Sequence, residues 1–285
     1  MIRPDAGRIE PGSESGKDAP APPERAGGGP RRARYIQAML FPYKDDNPTL
    51  ATPVVTVAII AANVAVWLLV QGAGQAPILQ ASVCNLGLVP GHLFGSIPSG
   101  EGLLVSPDIA CPVGSFPASL TVVTSMFLHG GWLHLIGNMW FLWVFGNNVE
   151  DSTGRFRFLV FYLLCGVLAG MTQSLANPAS AIPMVGASGA ISGVMGAYIV
   201  LYPRVRVHML LFLLVFVTTI TVPAYLMLGY WFLLQVLGGL PSLAKESGGV
   251  AFLAHAGGFV SGMILVLLFR NRALIAERVA HNLPA

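Results

Sequence analysis

Long apolar runs recur along this chain, and they restrict its fold more than any motif does. Stretches close to the roughly 20 residues that cross a ~30 Å hydrocarbon core begin near Ala51, Trp132, Phe156, Ser188 and Phe252. Of the 285 residues, 54% are hydrophobic and only 10% charged, against roughly 25% charged in a soluble globular domain. A water-soluble fold of this length would lack the charge to cover its surface. The apolar excess is gathered into spans, so the chain reads as an integral membrane protein.

The placement of charge gives an orientation, because Lys and Arg concentrate on the cytoplasmic side of membrane proteins. Eight basic residues precede the first span, Arg155 and Arg157 follow the second, Arg204 and Arg206 the fourth, and Arg270, Arg272 and Arg278 the last. These are 15 of the 16, all on alternate connections, and both termini are therefore expected in the cytoplasm. Expected spans are Ala51 to Gly72, Trp132 to Asn148, Phe156 to Leu175, Ser188 to Tyr202 and Phe252 to Phe269, with one more inside the apolar stretch Val205 to Leu237. That stretch of 33 residues would make a helix of ~50 Å, too long for one crossing and barely long enough for two. Arginines inside at both ends demand an even number of crossings between them. One crossing at about Pro223 to Leu237 satisfies this, with His208 to Val222 at the interface or packed on the bundle.

Residues 1–45 are rich in Pro, Gly and Ala with scattered charge, and are expected to be a disordered cytoplasmic tail. Acidic residues such as Asp5, Glu10 and Glu14 argue against a transit peptide. Residues 46–272 should form the membrane domain and 273–285 a short cytoplasmic C-terminal tail. No cleavable signal is legible ahead of residue 51, so the first span is expected to remain as an anchor. The expected location is a bacterial cell (inner) membrane.

Reactive side chains gather where the second, fourth and sixth spans begin on the outer face. Ser188, in Gly186-Ala187-Ser188-Gly189, sits where a polar loop meets an apolar helix, whose free N–H groups favour an oxyanion. The plainer reading is a helix cap flanked by packing glycines. His255 lies near the start of the last span, and a histidine at membrane depth is costly enough to suggest function. Gly189, Gly193 and Gly196 on one span and Gly258 and Gly262 on the other would let the two backbones approach. His134 and Asn138, four apart, share a helix face, with His129 just before. They supply two donors for an oxyanion, or merely bundle hydrogen bonds. No His-Glu-x-x-His string exists, so no metal is expected.

These residues carry a resemblance. From about Leu128 to Leu268 the chain resembles the rhomboid intramembrane serine proteases, through His129-x4-His134-x3-Asn138, Gly146-x3-Glu150-x3-Gly154, Gly186-Ala187-Ser188-Gly189 and Ala254-His255-x2-Gly258, in that order. The resemblance implies an all-α membrane protein, a six-transmembrane-helix bundle with a long outer loop between spans one and two. It implies Ser188 as nucleophile, His255 as general base, and His134, Asn138 and the Ser188 N–H as an oxyanion hole. Glu150 and Gly154 would be structural. The implied partners are transmembrane protein substrates and the lipid bilayer, with no cofactor and no nucleic acid. Two departures stand out: Ser192 occupies the position where many rhomboids carry a tyrosine that stacks on the histidine, and the first outer loop has no Trp-Arg pair. With no third carboxylate in view, the pair reads as a dyad.

Two other classes compete. A rhomboid-like binding or escort factor would use the fold without chemistry, but such members lack the serine or histidine. A transporter should show several charged residues at mid-membrane, and none lies there in these spans. Cys84 and Cys111 share the outer loop, where a disulfide closing 28 residues is expected, while Cys165 falls inside a span.

Overall fold

The structure, a computed structural model, describes residues 39–100, 102–106, 109–112, 116–213, 216–241 and 250–284. In chain order the elements are β1 (Met39–Asp45), α1 (Val54–Leu69), α2 (Ala76–Leu86), α3 (Pro90–Leu93), β2 (Gly102–Ser106), β3 (Ile109–Pro112), α4 (Ala118–Thr124), α5 (Trp132–Thr153), α6 (Arg155–Ala176), α7 (Ser188–Leu201), β4 (Arg206–Leu213), β5 (Phe216–Pro223), α8 (Ala224–Gly239), α9 (Phe252–Phe269) and α10 (Arg272–Ala280). By length and composition α6 and α9 are long and apolar enough to cross a membrane. A third such span is made by α4 and α5 if that pair, bent by 80°, is counted as one. α1, α7 and α8 are shorter apolar helices.

α7 is the central helix. Every residue from Ala190 to Tyr198 is buried, as expected of a helix that is apolar on all sides and surrounded. Glycines set how closely its neighbours come. A Cβ on Gly262 of α9 would lie 1.9 Å from the carbonyl oxygen of Gly193, and one on Gly258 would lie 2.2 Å from that of Gly189. A Cβ on Gly196 would lie 2.0 Å from the Phe259 oxygen. Both backbones therefore touch along this seam, the small-residue packing common between membrane helices. The outside of the bundle is the reverse: Leu133, Leu69, Phe156 and Leu268 are 76 to 87% exposed. Such a belt suits lipid and would be an aggregation surface in water.

The fold is predominantly helical, but the all-α expectation needs correction. β1, β4 and β5 form an antiparallel sheet in the order β1-β4-β5, and β2 pairs with β3. The stretch expected to lie at the interface is a hairpin. Its two strands are rich in Val, Ile, Thr and Phe, which favour the pleated conformation, and Val207 and Met209 are buried while Arg206 between the turn and Val207 is exposed. β1 joins its edge over Met39↔Phe212 to Asp45↔Val207, and the Trp140 indole donates to the Pro42 carbonyl at 2.7 Å. Residues 39–45 therefore do not belong to a disordered tail; residues 1–38 lie outside the described residues. Beside the sheet, His208 Nε2 lies 2.8 Å from Asp46, and this hydrogen bond holds the Asp46 carboxyl below its usual range.

Most of the short C-terminal tail, residues 273–285, is the docked helix α10. Arg278 is fully buried, bonded to the Asp151 carboxylate and, at 2.5 Å, to Asn47 Oδ1. Asp151 accepts the Leu50 and Ala51 N–H groups at 3.0 and 2.9 Å. Glu150 accepts those of Val55 and Thr56 at 2.9 and 2.7 Å, capping the first turn of α1. Gly154, at φ 84°, turns the chain from α5 into α6. The region between α1 and α5 is likewise more structured than a plain loop, with α2, α3, β2, β3 and α4 inside it. Cys84, buried in α2, is disulfide-bonded; the side chain of Cys111 lies outside the described residues, and Cys165 is free and buried.

Candidate active site

The segment entering α7 is pinned from two sides. Leu88 and Met184 exchange backbone hydrogen bonds at 3.0 and 2.8 Å, and the Gly186 N–H donates to the Ser125 carbonyl at 2.9 Å. Gly186 has φ 130°, open chiefly to glycine. A Cβ there would sit 2.9 Å from His134 Nε2 and 3.5 Å from Ser188 Oγ. That position therefore places the His134 ring and the Ser188 hydroxyl on either side of one small gap.

Ser188 is the first residue of α7, after Ala187. Its hydroxyl does not cap the helix: Oγ lies 2.8 Å from His255 Nε2. The glycine seam explains how the two meet, since Gly189 and Gly258 bring α7 and α9 into backbone contact just beside the pair. His255 Nδ1 lies 2.9 Å from Oε1 of Gln235 on α8. The Trp231 ring, one turn earlier on α8, lies 5.9 Å from the imidazole, tilted by 35°. Ser192, standing where many rhomboids have tyrosine, donates to the Ser188 carbonyl at 2.6 Å, so it turns back along its own helix.

A cavity of about 520 Å³ opens over the pair, lined among others by His134, Asn138, Ser188, Trp231 and His255. His134 and Asn138 project from the first two turns of α5, and Asn138 Nδ2 donates to the His134 carbonyl at 2.9 Å. His129 is outside the cavity. It is fully buried, its backbone doubly bonded to the Gln71 amide at 2.8 Å in each direction, and its ring packs edge-on against His134 at 5.2 Å. Four of the sequence-expected residues thus share one cavity, while Glu150 and Gly154 lie at the opposite end of α5. Gln235 and Trp231 were not anticipated; the signal was a lone amide in the apolar run of α8, where an intramembrane polar side chain calls for a partner.

A serine hydroxyl hydrogen-bonded to an imidazole, at a helix N-terminus and beside further donors, is a nucleophile–base arrangement. Comparison with known proteins agrees with the motifs. The Rhomboid domain family model matches residues 118–272. The chain is similar to Rhomboid-like protein 11, chloroplastic, of Arabidopsis thaliana, 43% identical over 79 residues, 28% of each chain. It is similar to RHOMBOID-like protein 5 of the same plant, 27% identical over 273 residues, 90% of this chain and 79% of the relative. Rhomboid protease GluP of Bacillus subtilis is 40% identical over 76 residues, 27% of this chain and 14% of its own. With a chloroplastic protein among them, these relatives do not support the bacterial inner membrane as the location. The match to the family model covers more than half of the residues, and the chain belongs to the rhomboid family.

Proposed function

We propose that this protein is an intramembrane serine endopeptidase that hydrolyses peptide bonds in or near transmembrane segments of membrane proteins. The observation that carries the reading is the 2.8 Å contact between Ser188 Oγ and His255 Nε2 inside a cavity. Ser188 Oγ attacks the scissile carbonyl as its proton passes to His255 Nε2. His134, Asn138 and the Ser188 N–H receive the oxyanion. His255 then protonates the leaving amine, and water activated by His255 hydrolyses the acyl-enzyme ester. No cofactor takes part. The name of the Bacillus relative, a rhomboid protease, supports this chemistry.

The same reading takes α1, α5, α6, α7, α8 and α9 as six spans, with both termini cytoplasmic and the segment between α1 and α5 outside. α7 has 14 residues, a length of ~21 Å at 1.5 Å per residue, against a core of ~30 Å. With its C-terminal end at the inner boundary, Ser188 lies roughly 10 Å below the outer one. A substrate helix must therefore unwind there to present a carbonyl. An outer disulfide between Cys84 and Cys111 belongs to this reading, supported by the disulfide state of Cys84.

Cleavage of a panel of single-span proteins in liposomes tests the proposal. Ser188→Ala, His255→Ala and the double variant should be about equally inactive, the non-additivity of groups acting as a unit. Asn138→Ala should lose ~10²- to 10³-fold in kcat. Wild-type cleavage by Ser188→Ala would end the mechanism and favour a binding or escort role.

A further inference from the structure

We infer that Gln235 is a positioning residue for His255, so that the functional unit is a Ser-His-Gln relay spanning α7, α9 and α8; this rests on the protease reading above. Gln235 is 8% exposed and reaches His255 Nδ1 through Oε1 at 2.9 Å. Its own amide nitrogen donates to the Trp231 carbonyl one turn back, at 3.3 Å. That second contact orients the amide. Turning it over would bring two carbonyl oxygens together at the Trp231 end, where neither has a proton to share. With the oxygen facing the ring, Gln235 has only a lone pair to offer, so Nδ1 must carry the imidazole proton.

The consequence lies on the other ring nitrogen. A neutral imidazole protonated on Nδ1 has a free lone pair on Nε2, and Nε2 is the atom 2.8 Å from Ser188 Oγ. Only this tautomer can accept the serine proton. A carboxylate performs the equivalent orientation in serine proteases with a third charged member. An amide does it without placing a net charge at membrane depth, where an unpaired carboxylate is expensive. Trp231 contributes the second constraint, because its ring lies beside both His255 and Phe259, at 5.9 and 6.0 Å. The aromatic neighbour that Ser192 does not provide from α7 comes instead from α8. One helix therefore supplies both the hydrogen bond and the aromatic face that restrain the base.

Gln235→Leu and Gln235→Glu decide the matter together. Leucine keeps the bulk and removes the acceptor, so kcat for cleavage of a single-span reporter should fall ~10- to 100-fold with KM within about twofold. Glutamate restores an acceptor oxygen and should recover at least half of that loss on a logarithmic scale. Nitrogen NMR of ¹⁵N-histidine-labelled protein, with His255 assigned by its absence in His255→Ala, reads the tautomer independently of turnover. Wild type should show a protonated Nδ1, and Gln235→Leu a shift toward the Nε2-protonated form. An unchanged His255 signal in Gln235→Leu overturns the inference, as does unchanged kcat, or a Glu variant no better than Leu. A wild type that neither cleaves nor reacts with a fluorophosphonate overturns the protease reading instead, and the NMR comparison still decides whether Gln235 sets the tautomer.

Discussion

The two ends of this bundle treat buried polar groups in opposite ways. At the end where α5 and α7 finish, almost every polar atom of the main cluster is spoken for. Asp45 accepts from Tyr198 and, at 3.0 Å, from Asn148. Asp151 accepts from Arg278 and two backbone N–H groups, and Glu150 holds the start of α1. At the opposite end, Ser188, His255, His134 and Asn138 face a cavity of about 520 Å³. A saturated network stabilises, since each member's desolvation is offset by a partner. An open cluster leaves lone pairs and N–H groups available to a substrate. Between the two runs the glycine seam of α7 and α9, whose glycines add no side chain and bring the two backbones into contact.

Breaking the seam should have the largest effect, because it destroys both ends at once. Gly262→Val would put a Cβ 1.9 Å from a backbone oxygen that no rotamer change can move. The expected result is loss of a monodisperse protein in detergent, by size-exclusion chromatography, together with loss of serine labelling. A folded, labelled Gly262→Val protein would show that the seam is not what sets the geometry.

Breaking the saturated end alone should separate stability from chemistry. Arg278→Ala strands the buried Asp151 carboxylate, and removing one member of a buried pair costs about 3 to 5 kcal/mol, here toward the lower figure because two N–H groups still bind Asp151. A clear drop in thermal midpoint is expected, with kcat of the surviving folded protein within about threefold. A variant of normal stability would place Arg278 outside the network's energetics.

The smallest effect sharpens the comparison by pH. Burial raises the Asp45 carboxyl from 3.8 to about 6, against the lowering influence of the Tyr198 hydrogen bond. The folded state therefore holds a proton that the unfolded state has released, and stability falls as pH rises from about 4 to about 6, then levels off. The full shift corresponds to about 3 kcal/mol, reduced by solvent screening because Asp45 is only partly buried. Asp45→Asn should flatten that window and be the more stable protein above pH 6, by urea or thermal unfolding in detergent. An unaltered pH profile would remove Asp45 from the account.

Much of this was legible in the sequence where composition changes abruptly. α9 begins at Phe252 and ends at Phe269 as expected, because its 18 largely apolar residues end against Arg270; α7 begins at Ser188, where a polar loop gives way to an apolar run. The hairpin of β4 and β5 left only two short traces of a period of two, Arg206-Val207-His208-Met209 and Thr219-Ile220-Thr221-Val222, which the length and apolar character of the whole stretch outweigh. Strand β1 was masked by the tail before it, and its order comes from pairing with β4, over 160 residues away. Arg278 counted as one more cytoplasmic charge; only the fold reveals that Asp151 and Asn47 enclose it. Gln235 stands 20 residues from His255, and no local pattern connects them.

The central claim is that Ser188 is a nucleophile activated by His255. Mass spectrometry of the intact protein after treatment with a fluorophosphonate, followed by peptide mapping, tests it most directly. The account predicts one covalent adduct on Ser188 in wild type and none in folded Ser188→Ala, with labelling at least 100-fold slower in His255→Ala. An unlabelled Ser188 in folded wild type, or labelling that is equally fast without His255, would contradict it.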